Sequence, residues 1–380
     1  MRWGRIALVL FAGAAALAAH ADVTRLSPSP PRITALGASA KVFNPYLHTL
    51  TWRFAVSEGG WIVVDIRRSG QDGPLLVRDL GWLRRGSHGF TWSGRTSDGR
   101  VMRAGWYWFH VTATGAAGSS SNLAFGGVHL IRQNPQPALA AQAAFLLDDT
   151  TGSALFAANA DVPRYPASTI KMMTAIVTLQ RLKPGTVVTV PGDALVGETT
   201  AGLVAGERMT VRDLLYGLLL PSGNDAAIAL ADATAGSTDA FAALMNAEAV
   251  RFHLWHTHFL SPHGFDLAGQ YSTARDLAWL AHDLLRLPIL ARIVVSRTYH
   301  ATSADGRIVH DWTNRNQLLW TYPGAIGVKT GTTPLAGANL VAAATRDGHR
   351  LIAVILGSTG GRRFADGSAL LDYGLREVGP

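Results

Sequence analysis

The chain of 380 residues contains no cysteine. That excludes disulfide bonds, thiolate catalysis and cysteine-ligated metals or clusters. It leaves the compartment open and is compatible with export. Charge is also sparse: Asp, Glu, Lys and Arg make up 16% of the residues against 48% hydrophobic, the balance of a folded rather than a disordered chain. Basic residues outnumber acidic ones, 34 to 26, but no basic run is interleaved with aromatics. Nucleic acid is therefore not an expected partner. Apart from the N-terminus, no stretch is long and apolar enough to cross a bilayer. The length allows two domains, each with its own core.

The N-terminal exception is informative. A basic head, Met1-Arg2-Trp3-Gly4-Arg5, precedes an apolar run from Ile6 to Ala19, and Ala19-His20-Ala21 is a small-x-small cleavage site before Asp22. This is the anatomy of a signal peptide over residues 1–21. The alternative, an uncleaved anchor, needs about 20 apolar residues. The expectation is an exported protein, periplasmic or extracytoplasmic and associated with the cell envelope. A net charge of +8 suits contact with an anionic wall polymer or lipid surface.

Residues 22–32, with Ser27-Pro28-Ser29-Pro30-Pro31, read as a stiff linker. From 33 to 132, short β-rich stretches separated by Gly, Asp and Ser turns predict an all-β sandwich. Six tryptophans fall here, at 52, 61, 82, 92, 106 and 108. They read either as a carbohydrate-stacking platform or as sandwich core with inter-strand aromatic pairs, and the second is the commoner outcome. Residues 133–142, around Gln133-Asn134-Pro135-Gln136-Pro137, form a second linker. From 143 to 380 the texture changes. A hairpin, 143–157, leads to a helical block with helices after Pro166, Thr210, Asn224, Ser237 and Ser272, and strands return near 325–329, 340–344 and 351–356. Strands, helices, then strands predict an α+β fold.

Three short motifs fall in that region. Ser168-x-x-Lys171 opens a helical pattern after Pro166. Residues i and i+3 share a helix face, and a lysine of lowered pKa can act as the base a serine hydroxyl needs. Ser222-Gly223-Asn224 sits in a turn between helices; its hydroxyl can relay a proton, and its amide can hold a peptide carbonyl or a lysine ammonium. Lys329-Thr330-Gly331 ends an alternating strand, with a charge, a hydroxyl and a residue that lets a ligand approach the backbone. Each tripeptide is weak alone. In this order, on helix, turn and strand, they form a strong set.

With Pro166-Ala167-Ser168, Leu219-x-Pro221-Ser222-Gly223-Asn224-Asp225-Ala226, Pro262-His263-Gly264, Asn314-Arg315-Asn316 and Gly327-Val328-Lys329-Thr330-Gly331, the stretch from about Ala143 to Gly374 resembles the serine-type D-alanyl-D-alanine carboxypeptidases, the low-molecular-mass penicillin-binding proteins. The resemblance implies a DD-peptidase/β-lactamase-like domain that removes the terminal D-alanine from peptidoglycan stem pentapeptides and is acylated by β-lactam antibiotics. It implies Ser168 as nucleophile, Lys171 as base, Ser222 and Lys329 as proton shuttle, and Asn224 on the substrate amide. Thr330 would bind the terminal carboxylate, with Gly331 beside it, and the backbone N–H groups of Ser168 and Thr332 would form the oxyanion hole. Arg315 is a third cation converging on that carboxylate. An arginine that helps bind the carboxylate in relatives would fall near Gly361-Arg362-Arg363. In the N-terminal region Trp92-x-Gly94-Arg95, Asp98-Gly99 and Ala104-Gly105-x-Tyr107 resemble the immunoglobulin-like domain of flagellar hook-capping proteins, implying a spacer or a wall contact.

Gly223 departs from the Asp of class A β-lactamases, and the nearest candidates for a deacylating carboxylate, Glu198 and Glu207, have unpersuasive contexts. A target rather than a resistance enzyme follows. DD-endopeptidase activity on cross-links, and a wall-binding or β-lactam-sensing role, stay open as alternatives. No cofactor is expected, and no metal, since His253, His256 and His258 match no standard ligand spacing. Asp148 and Asp149 read as hairpin-turn residues rather than a catalytic pair.

Overall fold

The structure is a computed structural model that describes residues 29–70, 73–97, 101–195, 197 and 199–378. The expected signal segment, residues 22–28, Asp98, Gly99 and Glu198 lie outside the described residues. The chain divides into two compact units, with the change near residue 131 and residues 97–101 grouped with the second.

The N-terminal unit is all-β. Its strands are β1 (Ile33–Ala38), β2 (Val42–Phe43), β3 (Leu50–Val56), β4 (Gly60–Arg68), β5 (Leu76–Leu83), β6 (Gly86–Trp92), β7 (Gly105–Thr114) and β8 (Ser120–Leu130). They form a three-stranded sheet, β1-β3-β6, and a five-stranded one, β2-β8-β7-β4-β5. Alternation does the sorting: in β3 and β7 every second side chain is buried, as a sheet with one wet face requires. Trp52 of one sheet stacks on Phe109 of the other, ring centroids 4.5 Å apart, and Trp92 packs against Tyr107 at 5.2 Å. The tryptophans therefore split: 52 and 92 are core, while 61, 82, 106 and 108 stay exposed.

The second unit is α+β. Its central sheet contains β9 (Ala143–Asp148), β10 (Ser153–Ala158), β15 (Ala325–Thr333), β16 (Gly337–Arg346) and β17 (His349–Ser358), in the antiparallel order β10-β9-β17-β16-β15. Two small ribbons complete the strands, β11 (Val187–Thr189) with β12 (Arg208–Thr210), and β13 (Thr298–Thr302) with β14 (Val309–Thr313). The helices are α1 (Lys171–Arg181), α2 (Val211–Leu219), α3 (Asn224–Ala235), α4 (Thr238–Arg251), α5 (Ala274–Leu285), α6 (Pro288–Val295), α7 (Leu318–Thr321) and α8 (Arg362–Val378).

Strand β9 is buried at every residue because both faces are covered. Phe145 and Leu147 join the core with α1, α2 and α5, while Ala144 and Leu146 pack with Leu370, Leu371 and Tyr373 of α8. Helix α1 runs through the middle of the first of these cores and is buried from Lys171 to Thr178. Side-chain caps start the helices that the sequence predicts: Thr210 Oγ1 accepts from Asp213 N, Ser237 Oγ from Ala240 N and Thr273 Oγ1 from Asp276 N.

Two expectations are corrected. Ser168 lies not in the α-helix but in a 3-10 turn, Ala167–Ile170, and Lys171 is the first residue of α1. Lys329-Thr330-Gly331 does not end its strand, because β15 continues to Thr333. The adjacent aspartates are turn anchors, as expected. Asp148 accepts from Thr150 N and Thr151 Oγ1, and Asp149 pairs with His282 and Arg350.

Candidate active site

The 3-10 turn is what joins Ser168 to Lys171. In that geometry side chains at i and i+3 eclipse, and Lys171 Nζ lies 3.0 Å from Ser168 Oγ. The turn is held on both sides by glycines. A side chain at Gly264 would come within 2.2 Å of the Ala167 carbonyl oxygen, and one at Gly331 within 3.0 Å of the Ser168 amide nitrogen. The Pro262-His263-Gly264 loop and strand β15 thus press bare backbone against the turn. Ala167 itself is held at φ +50, an uncommon conformation for a residue with a side chain.

Lys171 is fully buried. Its Nζ is 2.6 Å from the Ser222 carbonyl oxygen, 2.6 Å from Asn224 Oδ1 and 3.3 Å from Ser222 Oγ. Burial is the largest cause of a pKa well below that of an ordinary lysine. Lys329 pushes the same way, Asp225 opposes it, and Arg315 adds a smaller push. Burial, rather than Lys329, is therefore the main reason this amine is poised to be neutral. The partners suit a neutral amine. Two N–H donors meet two oxygens that can only accept, and the lone pair is left for the Ser168 hydroxyl. The Ser168 hydroxyl has a second outlet in the His263 carbonyl oxygen at 3.4 Å. The imidazole of His263 is pushed down to about 4 by burial and then by Lys171, so it stays neutral at ordinary pH.

The turn after α2 brings in the second motif. Ser222 sits at φ +71, a strained position. Gly223 is where it is because nothing larger fits: a Cβ there would lie 2.5 Å from Asp225 Oδ1 and 2.7 Å from Ala201 Cβ. Asp225 is buried and accepts from the backbone N–H groups of Ala201, Leu203 and Ala226 and from the Thr200 hydroxyl. It ties the 200–203 loop to the start of α3. Asn224 uses its oxygen on Lys171 and does not line the open cleft.

That cleft, about 70 Å³, is lined by Ser168, Thr199, Ser222, Arg315, Thr330, Gly331, Thr332 and Arg363. Six of these are site residues the sequence predicts; Lys171, Asn224 and Lys329 lie buried beneath them. Lys329 Nζ donates to the Thr330 carbonyl oxygen at 2.9 Å. Burial, then Arg315 and Arg363, lower Lys329 to about 7. Arg363 donates to the Gly331 carbonyl oxygen at 3.1 Å and to Thr332 Oγ1 at 2.6 Å. Arg315 has no side-chain partner among the described residues; its backbone N–H donates to the Leu220 carbonyl oxygen. Two arginines and a deprotonatable serine lining one cleft, with a lysine of lowered pKa beneath them, suit an acyl substrate ending in a carboxylate.

Of the acids weighed for deacylation, Glu207 is occupied elsewhere. Its carboxylate is 2.8 Å from His310 Nε2 and accepts from Val204 N. No acid is among the described residues lining the cleft. Arg363, pointed to only by the Gly361-Arg362-Arg363 region, enters at the first turn of α8, and Thr199 carried no signal in the sequence. A larger cavity, about 510 Å³ between α2, α6 and β13, contains none of the three motifs.

The model of the D-alanyl-D-alanine carboxypeptidase family, peptidase family S11, matches residues 131–360. The chain belongs to this family. Among curated S11 relatives, the D-alanyl-D-alanine carboxypeptidase DacC of Escherichia coli is 40% identical over 254 residues, 63% of this chain and 62% of that protein. The chain thus spans less than two thirds of the length of that relative. The D-alanyl-D-alanine carboxypeptidase of Streptomyces sp. strain K15 is 37% identical over 258 residues, 63% of this chain and 89% of that protein. Among solved structures, the Streptomyces K15 DD-transpeptidase aligns with TM-score 0.61 at 37% identity, covering 63% of this chain and 99% of that one. DacD from Francisella tularensis aligns with TM-score 0.61 at 31% identity, covering 64% and 72%. The S11 match begins at the boundary between the two units and covers the second as far as residue 360, just before α8.

Proposed function

We propose that the protein is a serine D-alanyl-D-alanine carboxypeptidase that removes the terminal D-alanine from peptidoglycan stem pentapeptides through an acyl-enzyme on Ser168. The observation that carries this is the 3.0 Å contact between Ser168 Oγ and a buried Lys171 Nζ, under a cleft edged by Arg315 and Arg363. Ser168 Oγ attacks the D-Ala-D-Ala carbonyl while its proton passes to the Lys171 lone pair. The backbone N–H groups of Ser168 and Thr332 receive the oxyanion. The C–N bond then breaks, and the leaving amine takes a proton through Ser222, which lies between Lys171 and the cleft, with Lys329 replenishing it. Thr330, Arg315 and Arg363 hold the terminal carboxylate, and Asn224, beneath the cleft, positions Lys171 rather than meeting the substrate amide the sequence assigned to it. Water hydrolyses the acyl ester. β-Lactams acylate the same serine, and the lack of an acid among the described residues lining the cleft favours slow release of that adduct.

The test is mass spectrometry after penicillin treatment. The expected adduct maps to the peptide holding Ser168 and is lost in Ser168→Ala; an adduct elsewhere overturns the assignment. A second reading concerns the acceptor. The K15 protein is named both a carboxypeptidase and a DD-transpeptidase, and one acyl-enzyme serves water or an amine. Purified muropeptides separate the outcomes: free D-alanine without dimer loss means carboxypeptidase, dimer loss means endopeptidase, and new cross-links mean transpeptidase.

Export through residues 1–21 and an envelope location belong to the same proposal, as does an immunoglobulin-like N-terminal domain in contact with the wall. The immunoglobulin-like fold, though not the wall contact, draws support from Tyr107, near the start of β7, whose hydroxyl donates to the Arg103 carbonyl oxygen at 2.6 Å, the pattern of a tyrosine corner.

A further inference from the structure

Four tryptophans of the N-terminal unit are left out of its core: Trp61, Trp82, Trp106 and Trp108 are 55%, 44%, 50% and 43% exposed. Strand register puts all four on the outer face of the five-stranded sheet. Trp61 lies opposite Trp82 on β5 and opposite Thr114 on β7; Trp108 lies opposite Arg67, and Trp106 opposite His129. The residues between them, such as Ile62, Tyr107 and Phe109, point into the core.

Three of these rings rest against bare backbone. A Cβ at Gly59 would meet the Trp82 ring at 3.0 Å, and one at Gly127 would meet Trp106 at 3.3 Å and Trp108 at 3.6 Å. Bare backbone beside an indole leaves room for the ring, and all four stay partly open to solvent. Trp61 and Trp82 meet edge to face at 6.0 Å, and Trp106 stacks on His129 at 5.2 Å. Trp61 is in register with Thr114, eight residues along β7 from Trp106. The two aromatic clusters are therefore about 26 Å apart at ~3.3 Å per residue. Among the described residues between them, Arg67 pairs with Asp65 at 2.7 Å, and Asp79, in register with Val63, accepts from Gly81 N at 2.8 Å.

We propose that this face binds the glycan strand of the wall polymer, a chain of N-acetylated amino sugars; the proposal rests on the peptidoglycan reading above and names the part of the polymer that this unit holds. The axial C–H groups of a sugar ring are weakly positive and match the negative face of an indole. A neutral chain brings no charge of its own to be desolvated, so stacking on the rings carries the contact. Separate aromatic planes set along a strand suit an extended chain of rings, whereas a folded protein partner calls for a contiguous apolar patch.

The test uses the full chain carrying Ser168→Ala, so that bound polymer is not processed. It is co-sedimented with intact sacculi, with and without competing soluble glycan strands released by an amidase, and its tryptophan fluorescence is followed during titration with soluble, uncharged N-acetylglucosamine oligomers. Sedimentation that the free glycan strands compete away and a saturable fluorescence change are expected. Replacing Trp106 and Trp108 by alanine should weaken binding about ten-fold, two lost stacking contacts, and replacing both by phenylalanine should retain most of it. In a background with Ser168 intact, the alanine pair should release D-alanine from a soluble pentapeptide at the wild-type rate. Sacculus binding that free glycan strands do not compete away, no fluorescence response in the parent chain, or unaltered binding by a folded alanine pair each overturn the proposal. Failure of the peptidase reading is seen separately, as absence of a penicillin adduct on Ser168 in the wild-type chain.

Discussion

Lys171 Nζ stands 3.0 Å from Ser168 Oγ and 2.6 Å from two oxygens, Ser222 O and Asn224 Oδ1, that can only accept. Replacing the amine with a methionine of similar length should leave the buried volume filled and the serine without its base. Acylation by a fluorescent penicillin should fall by about 10²–10⁴, the usual worth of a general base. Stopped-flow labelling checks this, with circular dichroism to verify the fold; a rate within ten-fold of wild type would remove Lys171 from the mechanism.

Lys329 links activity to stability. Its pKa is about 7 in the folded protein, against an ordinary value of 10.5. Between those values the unfolded chain binds a proton that the folded chain does not, so stability from this group rises with pH across that window and the full penalty applies below pH 7. Lys329→Met should therefore raise the melting temperature at pH 7, flatten the gain on going from pH 7 to 9, and abolish turnover. Lys171 retains its own share of the slope, since its pKa is lowered in the same direction. A variant that melts lower than wild type at pH 7 would contradict this account.

Gly223 cannot be converted to the aspartate of class A β-lactamases. Its φ of −57 suits any residue, so the obstacle is space and charge. The new Cβ would sit 2.5 Å from Asp225 Oδ1 and 2.8 Å from Ala201 N. Gly223→Ala should cost about 1–3 kcal/mol from overpacking alone. Gly223→Asp should cost more, by setting one carboxylate against another, and should slow acylation by displacing Asn224. Chemical denaturation of both variants beside wild type reads this directly; an aspartate variant as stable as the alanine one would show that the 200–203 loop yields freely.

Arg363 reaches Thr332 Oγ1 and the Gly331 carbonyl oxygen. Arg363→Ala should lower kcat/KM for a D-Ala-D-Ala peptide about ten- to hundred-fold, the worth of one hydrogen bond to a charged group. Most of that loss should appear in KM. Because Arg363 also helps to depress Lys329, the pH profile should shift toward higher pH. Loss confined to kcat with an unmoved profile would assign Arg363 a purely structural task.

Much of this was legible in the sequence. The β9–β10 hairpin, the capped helices and the order of the three motifs were readable because each carries a local signal: alternation, a Ser or Thr cap, a tripeptide. What was missed depends on tertiary placement. Helix α6 is only eight residues long and rich in Val and Ile, which weakens a helical signal, and in the β13–β14 ribbon burial does not follow hydropathy: β14 alternates, but it buries His310 with Trp312 and exposes Val309. The 3-10 turn at Ser168 differs from an α-helix by one residue of hydrogen-bond register. Asp225 looked like one more letter of a motif until its backbone partners across 22–24 residues were seen. The dominance of burial in lowering Lys171 follows from α1 lying in the middle of the core, which no window of sequence reports.

The two glycines that flank the Ala167–Ser168 peptide have a practical consequence for anyone seeking to retarget or inhibit the protein. With Gly264 on one side and Gly331 on the other, main chain meets main chain, and there is no side-chain cushion to compress or rotate. Nucleophile and docking strand behave as a single casting. A ligand that needs the floor to yield will fail however tightly its ends are held, so new selectivity must be carved at the rim, where the side chains of Thr199 and Arg363 line the cleft.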